Sequence, residues 1–489
     1  LTCDWSSDVC SSDLDLLCTI FGNSDALAFT VIRDPMLVYW LSEEAVLSKP
    51  PARKELEAAL HKSLAHLTVK EMKLEALRRF RRREMLRIGV RDLLRLSPVP
   101  ETTALLSDLA SLLIHAAYEI VDADLRQQYG VPMHKTKQGR WVETGFAVMG
   151  MGKLGGHELN YSSDVDLIYV YASHDGETKT PRGRQAVKPG AVGISNEEYF
   201  EILSRELTKA LVEQTREGYV FRVDLRLRAE GSVGQLARSL DDYAKYYRTR
   251  GVVWERLALL KAWPVAGSME VGLAFLKMVK PFIFGPAKDK IDLSGALAIV
   301  QDVRGVKEMI DTKMADRGHE RRNVKLGTGG IREIEFFAQT QQLILGGRDP
   351  GLRNPTTQGA LAALRARGHI SAEAERDMLA AYRFLRTLEH RLQMIDDQQT
   401  HTLPETPEGV DHVARFMGYA ETSEFEGALL TKLRTVQGHY ARLFESEAPL
   451  TAQKGSLVFT GVEEDPETLA TLTGMGFERA GDISATIRG

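Results

Sequence analysis

Cysteine is scarce in this chain: only Cys3, Cys10 and Cys18 occur, all close to the amino terminus. They lack metal-ligand spacing and exclude a disulfide framework, so a reducing, cytoplasmic setting is expected. Long apolar runs are missing too. None approaches the roughly 18 apolar residues of a membrane span, and no membrane partner is expected. Neither sign of charge dominates: 63 Lys and Arg face 67 Asp and Glu, a net charge of -4. No whole-chain field therefore draws the protein to nucleic acid or anionic lipid. The local exception is Arg78-Arg79-Phe80-Arg81-Arg82-Arg83. Glu71, Glu75 and Glu84 interleave it, and Leu74, Leu77, Met85 and Ile88 form a helical stripe. It reads as a solvated helix face rather than a nucleic-acid patch. Residues 1–14 lack the charged start and apolar stretch of a signal peptide and read as a non-native leader.

What remains is a globular composition, with a mean hydropathy of -0.22, in a chain long enough for about three domains. The informative stretch is Gly150-Met151-Gly152-Lys153-Leu154-Gly155-Gly156, followed closely by Ser162-Ser163-Asp164-Val165-Asp166-Leu167-Ile168-Tyr169-Val170-Tyr171. Glycines let backbone amides approach a phosphate. The segment from Asp164 to Val170 has strand composition. Alternation along it places Asp164 and Asp166 on one face, where two carboxylates can share hard divalent cations. Gly150, Gly152 and Gly155 also match the dinucleotide pattern Gly-x-Gly-x-x-Gly, but that motif requires a crossover helix, and here the next strand follows at once. A P-loop needs Ser or Thr where Leu154 stands. A phosphate cradle beside a metal-binding strand edge points to a metal-dependent nucleotidyltransferase, with a plain glycine turn as the remaining alternative.

A second candidate strand covers Tyr219 to Arg228. Phe221, Val223, Leu225 and Leu227 point one way, and Arg222, Asp224, Arg226 and Arg228 the other. Asp224 is then a third metal carboxylate with arginines near phosphate oxygens; the competing reading is a half-solvated edge strand. Between the acids, Leu203, Leu207, Ala210 and Leu211 predict a helix. Trp254, Leu257, Leu260 and Trp263 predict an amphipathic helix whose Arg256 or Lys261 either reaches nucleotide phosphates or faces solvent. Gly327-Thr328-Gly329-Gly330 precedes a helical run through Ile334, Ala338, Gln341 and Leu345. Free amides there could hold an anion, with Arg332, Glu333 and Glu335 close by, or the glycines form a simple turn. Asp175 to Ser195, rich in Gly and Pro, reads as a surface loop.

These motifs, in this order, resemble the amino-terminal half of the glutamine synthetase adenylyltransferase/deadenylylase family. The resemblance rests on the glycine-to-aspartate signature, Arg222 to Arg228, Trp254 to Ala262 and Lys325 to Phe336. Glu389-His390-Arg391-Leu392-Gln393, Gln399 to Pro404, Ile20 to Ser24 and Arg33-Asp34-Pro35 add to it. It covers roughly residues 15 to 450. Glu158-Leu159-Asn160 and Gly330-Ile331-Arg332-Glu333-Ile334-Glu335 are similar to the adenylyl-removing domain rather than the adenylylating one. Ala229 and Trp263 depart from the family, which commonly has proline and arginine there.

The resemblance implies an α+β, predominantly helical fold: a DNA-polymerase-beta-like nucleotidyltransferase core with a helical amino-terminal region and a carboxy-terminal helical bundle. The expected divisions are a helical region at 15–135, the core at 136–300, the bundle at 301–447 and the start of a linker at 448–489. The implied activity is phosphorolysis: inorganic phosphate removes AMP from adenylyl-tyrosine on glutamine synthetase, giving ADP. ATP-dependent adenylylation of glutamine synthetase and a non-catalytic regulatory module are the alternatives. Asp164, Asp166 and Asp224 are the expected catalytic residues and magnesium ligands, oxygen donors suiting Mg2+ better than zinc. Gly152, Lys153, Ser163, Arg226, Lys261 and Arg332 are expected to bind the nucleotide and phosphate. Glutamine synthetase and a PII signal protein are the expected partners.

Overall fold

The computed structural model describes residues 7–180, 193–285, 305 and 322–445. The 448–489 tail and most of the Asp175–Ser195 loop lie outside the described residues. Helices dominate, as expected, around two small sheets. Seven come first: α1 (Ser7–Asn23), α2 (Asp25–Arg33), α3 (Met36–Ser42), α4 (Glu44–Leu47), α5 (Arg53–Leu64), α6 (Lys70–Leu93) and α7 (Val99–Tyr129). Helix α1 starts inside the segment read as a non-native leader. By length and composition α7 passes as a membrane span, although no single run suggested one, yet 72% of its apolar window is buried inside the protein. It packs on α6 and on the sheet side of the core.

The arginine run lies on α6, but not as a uniformly solvated face. Arg78 is buried and reaches Glu75, Glu213 and the Ala210 carbonyl. Arg81 lies over the Tyr219 and Phe221 rings, and Arg82 pairs with Glu217 at 2.6 Å. These arginines dock the segment leading to Asp224.

A three-stranded antiparallel sheet joins β1 (Val131–Lys135) to β2 (Trp141–Glu143) and β5 (Glu177–Lys179). The main sheet has five strands: β3 (Phe146–Gly150), β4 (Val165–Tyr171), β6 (Val223–Asp224), β7 (Ala237–Ser239) and β8 (Trp263–Gly267). Strand β3 lies antiparallel to both β4 and β8, while β6 and β7 run parallel to β4. The β3–β4 hairpin, joined through the four-residue α8 (Gly152–Gly155), excludes the parallel crossover of a dinucleotide fold.

Alternation on the central strands sorts side chains into two cores. Phe146, Val148, Leu167, Tyr169 and Tyr171 face α7 and α9 (Asn196–Val212), the helix carrying Leu203, Leu207, Ala210 and Leu211. Ala147, Met149, Ile168 and Val170 face the opposite core, built with α10 (Leu240–Thr249), α11 (Val253–Leu259), α12 (Met269–Phe284) and the later helices. Those later helices span Ile331–Leu345, Thr357–Ala366, Ala372–Asp396, Pro407–Met417 and Thr422–Glu445. Asp166 shares its parity with Ile168 and Val170. It therefore opens toward the carboxy-terminal helices.

Two elements are shorter than the sequence pattern suggested. Only Val223–Asp224 of the Tyr219–Arg228 stretch is strand. The Asp224 carboxylate accepts the Arg226 backbone N–H at 2.8 Å, an Asx turn that ends the extended run. Arg228 turns back to the carbonyls of Leu225, Ser232 and Gly234. The amphipathic helix stops at Leu259, and Trp263 begins β8. The cause is packing: strand pairing with β3 outweighs the helical spacing of the apolar residues.

The turn itself leaves no room for side chains. Gly152 adopts φ +52, and a Cβ on Gly155 would lie 2.0 Å from the Lys261 carbonyl oxygen and 2.2 Å from that of Gly150. Gly155→Ala is expected to lower stability by about 3 kcal/mol or more, since backbone must move to admit it. Chemical denaturation checks this; an unchanged midpoint would show that the turn tolerates a side chain.

Candidate active site

All nine residues expected at the site line one cavity of about 610 Å³. Gly152, Lys153, Ser163, Asp164, Asp166, Asp224, Arg226, Lys261 and Arg332 are joined there by Trp254, Leu257, Lys325, Glu335, Phe336, Gln339 and Gln399. One wall is the edge of the main sheet with its connecting turn. The other comes from α11, the helix Ile331–Leu345 and the segments next to it.

The acids sit where strand geometry puts them. Asp166 on β4 is the register partner of Asp224 on parallel β6, so both emerge on one face. Asp164, two residues before Asp166, accepts from Arg222 Nε at 2.9 Å. Arg226 closes on Asp224, with Nη2–Oδ2 at 2.5 Å, and holds that carboxyl below its usual range. Asp166 is pushed up to about 6, first by burial and then by Asp224 and Asp164 nearby. Among the described residues no three His, Cys, Asp or Glu side chains form a ready metal cluster. The trio faces one cavity without closing into a ligand shell.

The donor set nevertheless suits a hard cation. It is all carboxylate, and the repulsion on Asp166 from Asp224 and Asp164 is only partly offset by Lys325 and Lys153. Gly152 matters here as well: a Cβ would come within 2.7 Å of Asp166 Oδ2. The Arg226 side chain covering Asp224 is 78% exposed, so an incoming cation displaces a pair that contributes little.

The basic residues divide into anchored and open groups. Lys153 Nζ donates to Glu389 Oε1 at 2.8 Å. Lys261 Nζ donates to Glu158 Oε2 at 3.0 Å, and to Glu335 Oε1 and Thr357 Oγ1 at 3.3 Å. Arg386, fully buried, bridges Glu389 Oε2 at 3.0 Å and the Glu158 carbonyl at 2.6 Å. Burial opposes charge on Glu389, yet Lys153, Arg386 and His401 hold its carboxyl well below the usual range. Burial likewise opposes charge on Glu335, but Lys261, Arg332, Lys153 and Lys325 bring it to about 2. Arg332 is looser, with Nε 3.9 Å from Glu335 and its guanidinium over the Phe336 ring. Arg256 points elsewhere, donating to the Ile283 carbonyl.

The glycines at 327–330 do not offer free amides. Gly329 N–H donates to Glu333 Oε2 at 3.0 Å. The N–H groups of Gly330, Ile331 and Arg332 donate to the carbonyls of Gly327, Val324 and Lys325. The amides of Gly327, Gly329, Gly330, Ile331 and Arg332 are spent on the turn, which corrects the helix-terminus expectation. What the turn does is place Lys325 and Arg332 at the cavity.

Sequence reasoning assigned no site role to Lys325, Gln339 or Gln399, and none to Glu158 or Glu389, which anchor the lysines. Lys325, Gln399, Glu158 and Glu389 all fall within the motifs that carry the resemblance, which was the available signal. Gln339 had none beyond its place on a helical run.

A glycine turn between antiparallel strands, leading to paired-strand acids at a cation-lined cavity, defines a nucleotidyltransferase-type core. The glutamate-ammonia ligase adenylyltransferase family model matches residues 14–278, and the chain belongs to that family. A second model, GlnD PII-uridylyltransferase, matches residues 304–444. Relatives include the bifunctional glutamine synthetase adenylyltransferase/adenylyl-removing enzymes of Mesorhizobium japonicum, Rhizobium meliloti and Brucella melitensis. The first is 40% identical over 97% of this chain and 46% of its own length. The second is 42% identical over 84% of this chain and 40% of its own, and the third 40% identical over 97% and 46%. The chain thus spans less than half the length of these relatives.

Two outcomes follow from the electrostatics. Glu389→Ala leaves Lys153 and Arg386 without their buried counter-charge and is expected to lower stability by about 3–5 kcal/mol. Denaturation midpoints check this, and a loss below about 1 kcal/mol would mean the network is not holding the fold. For Asp166 the folded value, about 6, lies above the ordinary 3.8. The folded state therefore retains a proton that the unfolded chain has lost, and stability falls as pH rises through that window. With divalent cations chelated, Asp166→Asn is expected to be more stable than the parent at pH 8 by on the order of 2 kcal/mol. The gain should vanish by about pH 4; an equal gain at both pH values would show that Asp166 does not titrate this way.

Proposed function

We propose that this chain is the adenylyl-removing nucleotidyltransferase of its family, acting on the adenylyl-tyrosine of glutamine synthetase with inorganic phosphate and releasing ADP. The observation that carries the reading is the pairing of Asp166 with Asp224 across parallel strands, beside the Gly152 turn, at a cavity whose far wall is cationic. Family membership and the relatives' name, which covers both adenylyl transfer and adenylyl removal, support glutamine synthetase as the substrate. The direction rests on the likeness of Glu158-Leu159-Asn160 and Gly330 to Glu335 to the adenylyl-removing domain.

In the proposed reaction a phosphate oxygen forms a bond to the AMP phosphorus while the bond to the tyrosine oxygen breaks. ADP leaves, and the tyrosine oxygen takes a proton. Both reactants are anionic, so the protein's task is to position them and offset charge. Asp164, Asp166 and Asp224 would hold magnesium, which supplies charge neutralisation at the attacking and leaving oxygens. Gly152 and Ser163 border the phosphoryl position, and Gly152 brings backbone close without a side chain. Lys153 and Lys261, anchored by Glu389, Glu158 and Glu335, set a fixed positive background. Trp254, Leu257 and Phe336 provide the apolar part of the cavity. Within this reading the amino-terminal helices, the core and the carboxy-terminal bundle keep the divisions given by the sequence, and a PII signal protein is the regulator of a cytoplasmic enzyme.

The test is ADP formation from adenylylated glutamine synthetase with phosphate and magnesium, beside an arm containing ATP and unmodified glutamine synthetase. Asp166→Asn and Asp164→Asn are each expected to slow ADP release by about 100-fold or more. Wild-type rates in either variant would remove the metal assignment, and AMP incorporation from ATP alone would reverse the direction.

A further inference from the structure

Among the described residues five basic side chains line the cavity, and four of them have a carboxylate within ion-pair distance. Lys153 pairs with Glu389 at 2.8 Å, Lys261 with Glu158 at 3.0 Å, Arg226 with Asp224 at 2.5 Å and Arg332 with Glu335 at 3.9 Å. The fifth is Lys325. Its backbone N–H is taken by Asn323 Oδ1 at 3.0 Å, but among the described residues its ammonium group has no ion pair and no hydrogen bond. It is only partly exposed. Burial pulls its pKa below the ordinary lysine value; the charge of Glu389, and less so of Glu335, opposes this, and Arg332 adds to it.

A partly buried ammonium with no carboxylate in ion-pair contact among the described residues is costly unless something anionic meets it. The fold spends several interactions to keep it there. Asn323 caps the turn through Lys325 and Leu326, and the Lys325 carbonyl accepts the Arg332 N–H at 3.0 Å. One turn thus presents Lys325 and Arg332 side by side, on the wall facing the acids. The charge of Lys325 is felt by Asp166 across the cavity. Any ligand seated between them meets carboxylates on one side and an unpaired ammonium on the other.

We propose that Lys325, with Arg332, forms an anion subsite for the attacking inorganic phosphate, separate from the Gly152–Ser163 edge that borders the AMP phosphoryl group. The inference rests on the phosphorolytic reading, which needs two phosphate positions in one cavity. A tetrahedral phosphate suits this pair: a point charge with three donors from lysine and a planar fork from arginine. Lys153, Lys261 and Arg226 are held by close carboxylates, whereas Arg332 lies 3.9 Å from Glu335 and Lys325 has no ion pair among the described residues, so these two are the cations left to meet an oxyanion.

The experiment compares the whole chain with Lys325→Met and Lys325→Arg. Removing one charge-assisted hydrogen bond is expected to raise the KM for inorganic phosphate by about tenfold or more, with the KM for adenylylated glutamine synthetase unchanged. Lys325→Arg should recover part of the loss. Calorimetric titration with inorganic phosphate, in the presence of magnesium, is expected to show binding to the parent and none to Lys325→Met; a parallel titration uses ATP. Because Lys325 has no ion pair or side-chain hydrogen bond among the described residues, Lys325→Met should melt no lower than the parent, so a lower melting temperature would recast Lys325 as structural and overturn the proposal. An unchanged KM and unchanged phosphate binding would overturn it as well. If ATP binding weakens in the variant while phosphate binding does not, the subsite serves the nucleotide's own phosphates and the proposal falls. Should the parent release no ADP yet bind phosphate through Lys325, the subsite stands and only the phosphorolytic reading fails.

Discussion

Glu389 is the group on which the rest of the site depends. It is fully buried and meets Lys153 from the glycine turn, Arg386 from its own helix and His401 from the following segment. Arg386 carries the connection on to the Glu158 backbone, and the Glu158 side chain holds Lys261 and the start of the helix at Thr357. In a low-dielectric interior such charges are tolerated only as a complete set, because each unpaired member would have to be hydrated or neutralised. The set links the turn after β3 to three carboxy-terminal helices and leaves little latitude in how the cavity walls face each other.

That constraint produces a cavity of divided sign. Acids project from the sheet edge, and cations come from the turn and the helical wall. Paired lysines give a rigid background field, whereas Asp166 and Lys325 remain electrostatically unsatisfied in opposite senses. A site built for transfer between two anionic phosphates needs both: a place for a cation to bring acids and phosphoryl oxygens together, and a positive group free to meet the incoming oxyanion.

Much of the core was legible beforehand. The hairpin followed from the closeness of the glycines to the next strand, and the shared face of Asp164 and Asp166 from the two-residue strand period. The helix with Leu203, Leu207, Ala210 and Leu211 followed from its stripe. Legibility failed where side chains compete with local pattern. Alternation from Tyr219 to Arg228 looks like a long strand, but the Asp224 carboxylate captures the Arg226 amide and turns the chain. Trp254 to Trp263 has helical spacing, yet Trp263 and its neighbours find a better partner in β3. Arg78 reads as solvated from its charged neighbours, although the Ala210 carbonyl and two glutamates draw it inside. The glycines at 327–330 promised open amides, and a glutamate four residues on consumed one of them.

By itself the sequence determined which residues carry the chemistry: period and composition are local properties, and the acids, glycines and lysines stand within short motifs. It also marked the family, through motifs arranged in a fixed order. Only the tertiary structure decided which charges are spent and which are left. Lys153 and Glu389 lie 236 positions apart, so no local pattern encodes their pairing. A charged side chain becomes an anchor or a ligand group according to what the packed chain brings within a few ångströms of it.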